Sequence, residues 1–192
     1  ANADGATLEQ GGVRLILQKN EKGRRVGSVT VDNHGSAFTG PLQVQANASA
    51  VGMGIAHSEL SVTGMVAVPI QEQRLGSASY SVPLFGASGT MATVSVSKAR
   101  TEPGSNLSVL DIKGASESVS AQISYPIIRQ RDMTLRADAG FEWKNARTKI
   151  LGEELYDDRL RVAKVGGSFN FTDTLAGYNV MDVHYARGLG VF

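Results

Sequence analysis

The sequence predicts an all-β chain folded as an antiparallel meander, and three observations predict it. Apolar and polar residues alternate with a period of two through segment after segment, which is the period of a pleated strand. Windows with apolar residues at i, i+3, i+4 and i+7 do not occur, so no amphipathic helix competes for the same residues. Among 192 residues, 22 are glycine and only 6% are aromatic, a composition that suits small-residue strands joined by turns rather than a helical bundle.

The elements come in order along the chain. "GGVRLILQKNEKGRR" sets Val13, Leu15 and Leu17 against Arg14, Ile16 and Gln18, and reads as a short strand that does not belong to the meander. The meander opens at Val26 with "VGSVTVDN", turns through "NHGSAFTG" and returns in "PLQVQANASAV". There Val44, Ala46, Ala48 and Ala50 oppose Gln43, Gln45, Asn47 and Ser49, one greasy face and one amide-rich face. "LSVTGMVAV" carries Val62 and Val66 on its apolar side. "LGSASYSVPLF" and "MATVSVSK", joined by "GASGT", carry Tyr80 and Val94. After a long loop, "EPGSNLSVLDIKG", the strand "SVSAQISYPII" places Val119, Ala121 and Ile123 on its apolar side.

The clearest alternation comes after the "RQRDM" turn. Leu135, Ala137, Ala139, Phe141 and Trp143 fall on one side, and Arg136, Asp138, Glu142 and Lys144 on the other. A second long polar loop, "LGEELYDDR", is expected before "LRVAKVGGSFNF", which turns at "TDTLAG" into "YNVMDVHYARGLGVF". The meander from Val26 thus counts about nine strands, with short turns expected at one end and long loops at the other.

Two architectures impose this alternation. In a soluble sandwich the apolar set faces a core; in an outer-membrane barrel it faces lipid, and the polar set lines a wet lumen. The connector lengths favour the barrel. So do polar faces of Ser, Thr, Gln and Asn rather than Lys and Glu in the first strands, and aromatics near strand ends at Tyr80, Phe85, Tyr125, Trp143 and Phe171, which fit a sparse interfacial girdle. A soluble or surface-exposed all-β binding module remains the alternative.

Bulk numbers exclude other classes. An apolar fraction of 42% with 19% charged residues belongs to a folded chain. Nineteen basic and 18 acidic residues leave a net charge of +1, so no overall field draws the protein to nucleic acid. Cysteine is absent, which excludes disulfides, thiolate chemistry and cysteine-ligated zinc. No apolar run approaches the roughly 18 residues of a membrane-spanning helix, and "ANADGATLEQ" lacks the regions of a signal peptide, so any export signal is expected outside these residues.

Four motifs in order, "VDNHGS", "YSVPL", "SYPIIR" and the "DDR" segment, resemble the barrel region of the hemolysin secretion and activation proteins. These are the TpsB transporters of two-partner secretion in the Omp85 superfamily, and the resemblance spans nearly the whole chain. It implies a sixteen-stranded barrel in the bacterial outer membrane, preceded by periplasmic POTRA domains that capture an unfolded exoprotein of the TpsA type, a hemolysin or adhesin. The barrel passes that partner to the surface without ATP, and folding outside gives direction. On this template residues 1–25 are the tail of the last POTRA domain or a linker, and residues 26–192 are the first half of the barrel. The superfamily's VRGY-type pore motif does not occur here. An open sheet leaves unpaired edges in lipid, so the remaining half of the barrel is an expected partner and the chain is expected to be a fragment or a truncated gene product.

The site expected from these readings is a pair of surfaces. Arg136, Asp138, Glu142, Lys144, Arg161, Lys164, Asp182 and His184 are the candidate lumen-lining residues, a wall of mixed sign suited to an unfolded chain of arbitrary sequence, or simply solvated and mutually paired charges. Val44, Ala46, Val62, Val66, Tyr80, Val94, Ile123, Phe141 and Trp143 are the candidate lipid-facing residues, with outer-membrane lipid as their partner. No catalytic centre, metal or cofactor is expected. His34, His57 and His184 lack ligand spacing, the carboxylates near Glu153 and Asp157 read as a solvated cluster, no G-x-S-x-G elbow occurs, and "VGMGIAHS" lacks the lysine of a phosphate loop.

Overall fold

A computed structural model describes residues 25–33, 35–175 and 177–190. The expected strand and POTRA tail before Arg25 lie outside the described residues. Within them, one nine-stranded antiparallel sheet runs in sequence order, each strand paired with the next. The strands are β1 (Arg25–Asp32), β2 (Leu42–Val51), β3 (Glu59–Val68), β4 (Gln73–Leu84), β5 (Thr90–Thr101), β6 (Lys113–Arg129), β7 (Met133–Ile150), β8 (Glu153–Thr172) and β9 (Tyr178–Gly188). Short 3₁₀ turns occupy Gly86–Ser88 and Ser105–Leu110.

The sheet is a single layer. Ala67 is the one buried apolar residue among the described residues, whereas Phe141, Val94, Ile123 and Val62 are all substantially exposed. A sandwich buries one face of each sheet against the other; among the described residues no second sheet covers either face.

Connectors 52–58, 85–89, 130–132 and 173–177 lie at the end where β1 begins, the near end, and 33–41, 69–72, 102–112 and 151–152 lie at the far end. The far end holds the two longest connectors, as expected, but also the shortest. The expected loop "LGEELYDDR" is mostly strand: β7 and β8 form a long hairpin closed by Leu151 and Gly152 alone, with φ of 53° and 83°. Positive φ at both central residues is the backbone of a two-residue hairpin turn, whose twist matches that of its strands. Opposed charges hold the hairpin. Arg147 meets Glu154 at 3.4 Å and Asp157 at 3.5 Å, and Asp157 also accepts from Arg159 at 3.0 Å. Strand β6 likewise starts at Lys113, earlier than the expected Ser118.

The other far-end connectors bind one another. Gly104 N–H donates to the Phe38 carbonyl at 2.8 Å, Glu102 N–H to the Glu72 carbonyl at 2.9 Å, and Leu151 N–H to the Leu110 carbonyl at 2.9 Å. Gly40, at a φ of +92°, lies so close to Ala67 that a side chain there would stand 2.6 Å from the alanine methyl group.

Candidate functional site

The strand register sorts the candidate residues, because residues directly opposite in an antiparallel pair share a face. Ser124, Asp138, Gly166 and His184 form one row across the sheet, and Ser120, Glu142 and Val162 another on the same face. Arg136 lies opposite Ser168 and Asp182 beyond it, Lys144 opposite Leu160, and Lys164 opposite Gly140. Arg136, Asp138, Glu142, Lys144, Lys164, Asp182 and His184 therefore share one face, the polar face. Val44, Ala46, Val62, Val66, Tyr80, Val94, Ile123, Phe141 and Trp143 fall in rows on the other.

Arg161 is the exception and a correction. The sequence places it beside Lys164, but it lies directly opposite Trp143 and shares the apolar face with it. Its guanidinium sits 4.8 Å from the centre of the Trp143 ring and also donates to Asn145 Oδ1 at 3.1 Å. The reason is parity: Arg161 and Lys164 are an odd number of residues apart, so the pleat sends them to opposite sides.

The polar face changes character across the sheet. From β2 to β6 it is a ladder of neutral cross-strand hydrogen bonds: Thr63 to Asn47 at 3.0 Å, Ser81 with Thr93 at 2.9 Å and Ser97 with Ser118 at 2.8 Å. From β7 to β9 it is charged. Lys164 donates to Glu142, and His184 Nδ1 stands 3.7 Å from Asp138 Oδ2. Gly166 lies between that histidine and aspartate, and its missing side chain is what lets them meet across the intervening strand. The described residues bring together no group of His, Asp or Glu able to hold a metal ion.

The apolar face has a sloping limit. Towards the far end its apolar run is ended by Arg74 on β4, Lys98 on β5, Glu117 on β6, Asn145 on β7, Arg161 on β8 and Arg187 on β9; on β7 the first charge, Arg147, lies higher, in the row of Arg74. In register, Arg74 shares its row with Asp157 of β8, whereas Arg187 shares its row with Ala163. The limit thus drops about 20 Å along the strands over about 24 Å of sheet width, a slope of about 40°. Strands of membrane barrels tilt by about 35–45° from the membrane normal. Below the limit on β7, the apolar side runs from Met133 to Trp143; at that tilt it covers about 25 Å of height, the thickness of a barrel's apolar band.

Aromatic residues border this band. Tyr80, on the apolar face, donates its hydroxyl to the Met53 carbonyl of the near-end turn at 2.8 Å, and Phe169 and Phe171 stack at 4.9 Å near the end of β8. Sequence reasoning missed the role of Lys98, Arg74 and Arg100, because single strands read in isolation show no limit; it emerges only when the register aligns them.

A family model described as haemolysin secretion/activation protein ShlB/FhaC/HecB matches residues 11–192. Among solved structures, CdiB from Escherichia coli matches with a TM-score of 0.76 at 19% sequence identity, over 88% of this chain and 32% of that one. The likeness is one of fold, and this chain spans about a third of that structure's length. No curated protein sequence matches.

Proposed function

Because this chain belongs to the haemolysin secretion/activation protein family ShlB/FhaC/HecB, we propose that it supplies the first strands of a pore that secretes a large exoprotein of the TpsA type across the bacterial outer membrane. Its location is the outer membrane, and its fold is the open β-meander of that family's barrel. Residues from about Val26 form the pore wall, and residues 1–25 are the tail of the last POTRA domain. The apolar face meets lipid and the polar face lines a hydrated lumen. Strands outside the described residues close the barrel, since the free edges of β1 and β9 require partners in a bilayer.

The observation that carries this reading is the slope of the apolar limit. A sandwich has no reason to lower its apolar limit from one side of the sheet to the other, whereas tilted strands in a flat bilayer must. On the lumen side, neutral hydroxyls and amides beside paired charges of both signs offer an unfolded chain a wetted surface with few places to stick.

None of these 192 residues is a cysteine that would compete with an introduced one, and the intact protein without an introduced cysteine serves as the background. In the intact protein, single cysteines at Phe141 and Glu142 are reacted in cells with a membrane-impermeant maleimide. Glu142→Cys is expected to label and Phe141→Cys to resist. A cysteine at Lys144 is then expected to crosslink to exoprotein arrested in transit. Equal labelling of both positions, or no crosslink to an arrested exoprotein, overturns the reading.

A further inference from the structure

Arg74 and Arg100 lie directly opposite each other on β4 and β5, on the apolar face at the far-end limit of its apolar band. Like charges set opposite in an antiparallel pair repel. Among the described residues neither makes an ion pair, while neighbouring Lys98 is held by Glu117. Three cations therefore crowd one spot where water gives way to hydrocarbon, and among the described residues one carboxylate, Glu117, forms an ion pair with any of them.

Beside them the sheet is cut away. Gly64 and Gly76 are paired on the apolar face, and a side chain at either would project into open space. With Ala46, Val44 and Val66 they floor a groove of about 590 Å³ whose rim is Arg74, Lys98 and Arg100. A second depression continues from Gly64 and Gly76 toward Val119 and Trp143. Apolar length below and cationic rim above are the two halves of an amphiphile's complement.

We propose that this groove binds one phosphorylated lipid of the outer leaflet, an acyl chain lying on Gly64 and Gly76 and a phosphate held between Arg74, Arg100 and Lys98. Arginine forks match phosphate oxygens with charge-assisted hydrogen bonds, and the anion removes the repulsion of the opposed arginines. The far end is the outer side because it holds the longest connectors and the projecting β7–β8 hairpin, the usual asymmetry of such barrels. The proposal rests on the reading that the apolar face meets lipid.

The test uses the intact protein in detergent, titrated with lipid A and followed by native mass spectrometry. Lipid A is expected to bind one to one, and its dephosphorylated form about tenfold more weakly. The Arg74→Gln/Arg100→Gln double variant is expected to lose about tenfold in affinity for lipid A, and Gly76→Leu, which fills the groove and keeps the arginines, to weaken binding of both forms. Equal binding of lipid A by wild type and double variant overturns the proposal, as does equal binding of the dephosphorylated form. Displacement of lipid A by inorganic phosphate alone also overturns it, and assigns the cations to a soluble anion. Insertion of each variant into phosphatidylcholine vesicles, read by heat-modifiable migration on gels, is measured alongside. Failure of the wild type to insert there counts against the barrel reading, whereas normal insertion with unselective lipid binding counts against the groove alone.

Discussion

The guanidinium of Arg161 stacks over the indole of Trp143 from the directly opposite position of the next strand. The pair stands where the apolar rows of β7 and β8 end: Phe141 and Ala163 lie one row below, Asn145 and Arg159 one row above. An indole and a guanidinium each combine an apolar body with polar edges, so both suit the zone between hydrocarbon and headgroups. Arg161 is accommodated on the apolar face because the ring lies beside its charge while Asn145 and the Leu160 carbonyl accept from its Nη1.

Arg161→Ala is therefore expected to lower stability by about 0.5–2 kcal/mol, the range of a partly desolvated cation–π contact. Guanidinium unfolding of the intact protein in lipid vesicles measures this. A double-mutant cycle with Trp143→Phe separates the contact from the packing of the indole, and additive effects would mean that the two side chains are neighbours without being coupled.

A charge placed at mid-band on the apolar face carries a larger cost. Ala139 lies in the row of Ile123 and Val165, midway along the apolar side of β7. Ala139→Arg is expected to destabilise the inserted barrel by about 2–4 kcal/mol, whereas Gln122→Arg, on the polar face of the adjoining strand, changes it by less than about 1 kcal/mol. Folding titrations into vesicles compare the two directly; similar costs would contradict the division of faces.

Much of the fold is legible in the sequence and some of it is not, for definite reasons. The pleat alone places Val44 with Ala46 and Glu142 with Lys144, because a period of two needs no knowledge of neighbours. Arg161 is misplaced when charge serves as the guide to face, since an indole on the apolar side can hold a guanidinium there. The "LGEELYDDR" segment resembles a loop because apolar alternation is what marks a strand, and a hairpin held by opposed charges has little greasy face to show. Its signal is complementary charge: Arg147 and Lys149 on one strand face Asp157 and Glu154 on the next. The groove at Gly64 and Gly76 is invisible until the register sets two glycines side by side.

The near-end turn between β8 and β9 is expected to be sensitive to acid. Asp173 Oδ1 accepts from Leu175 N–H at 2.9 Å and Gly177 N–H at 2.8 Å, and its other oxygen accepts from the Asn179 amide at 3.1 Å. These bonds, that to Asn179 first, hold its carboxyl below the usual value of 3.8. A depressed folded pKa means that the contribution is complete above that usual value and is lost as pH falls through the lower folded one. Protection against amide exchange at Leu175 and Gly177, taken relative to the intrinsic amide rate at each pH, is thus expected to fall in acid below that usual value, and Asp173→Ala to show the lost protection at neutral pH. A rate indifferent to the substitution would remove Asp173 as the clamp.

Gly166 offers a test of the polar wall that leaves the fold intact. Its backbone is not in the left-handed region, so glycine is required there for room alone; an added methyl group would stand 2.1 Å from His184 Nδ1 and 3.0 Å from Asp138 Oδ2. The nearer of these belongs to the far end of a side chain that is 61% exposed, which can swing away from the polar face instead of straining the sheet. Gly166→Ala is therefore expected to cost less than about 1 kcal/mol, since a 3.7 Å contact whose histidine is largely exposed contributes little to stability, while breaking the contact between His184 and Asp138. Diethylpyrocarbonate modification, read peptide by peptide with exposed His57 as the internal reference, should rise at His184 in the variant. Asp138→Asn should raise it too, because the carboxylate and not the crowding is what holds the ring. If only Gly166→Ala has the effect, the ring is confined by the strand beneath it, and the charged rows of β7 to β9 are neighbours in space without being paired.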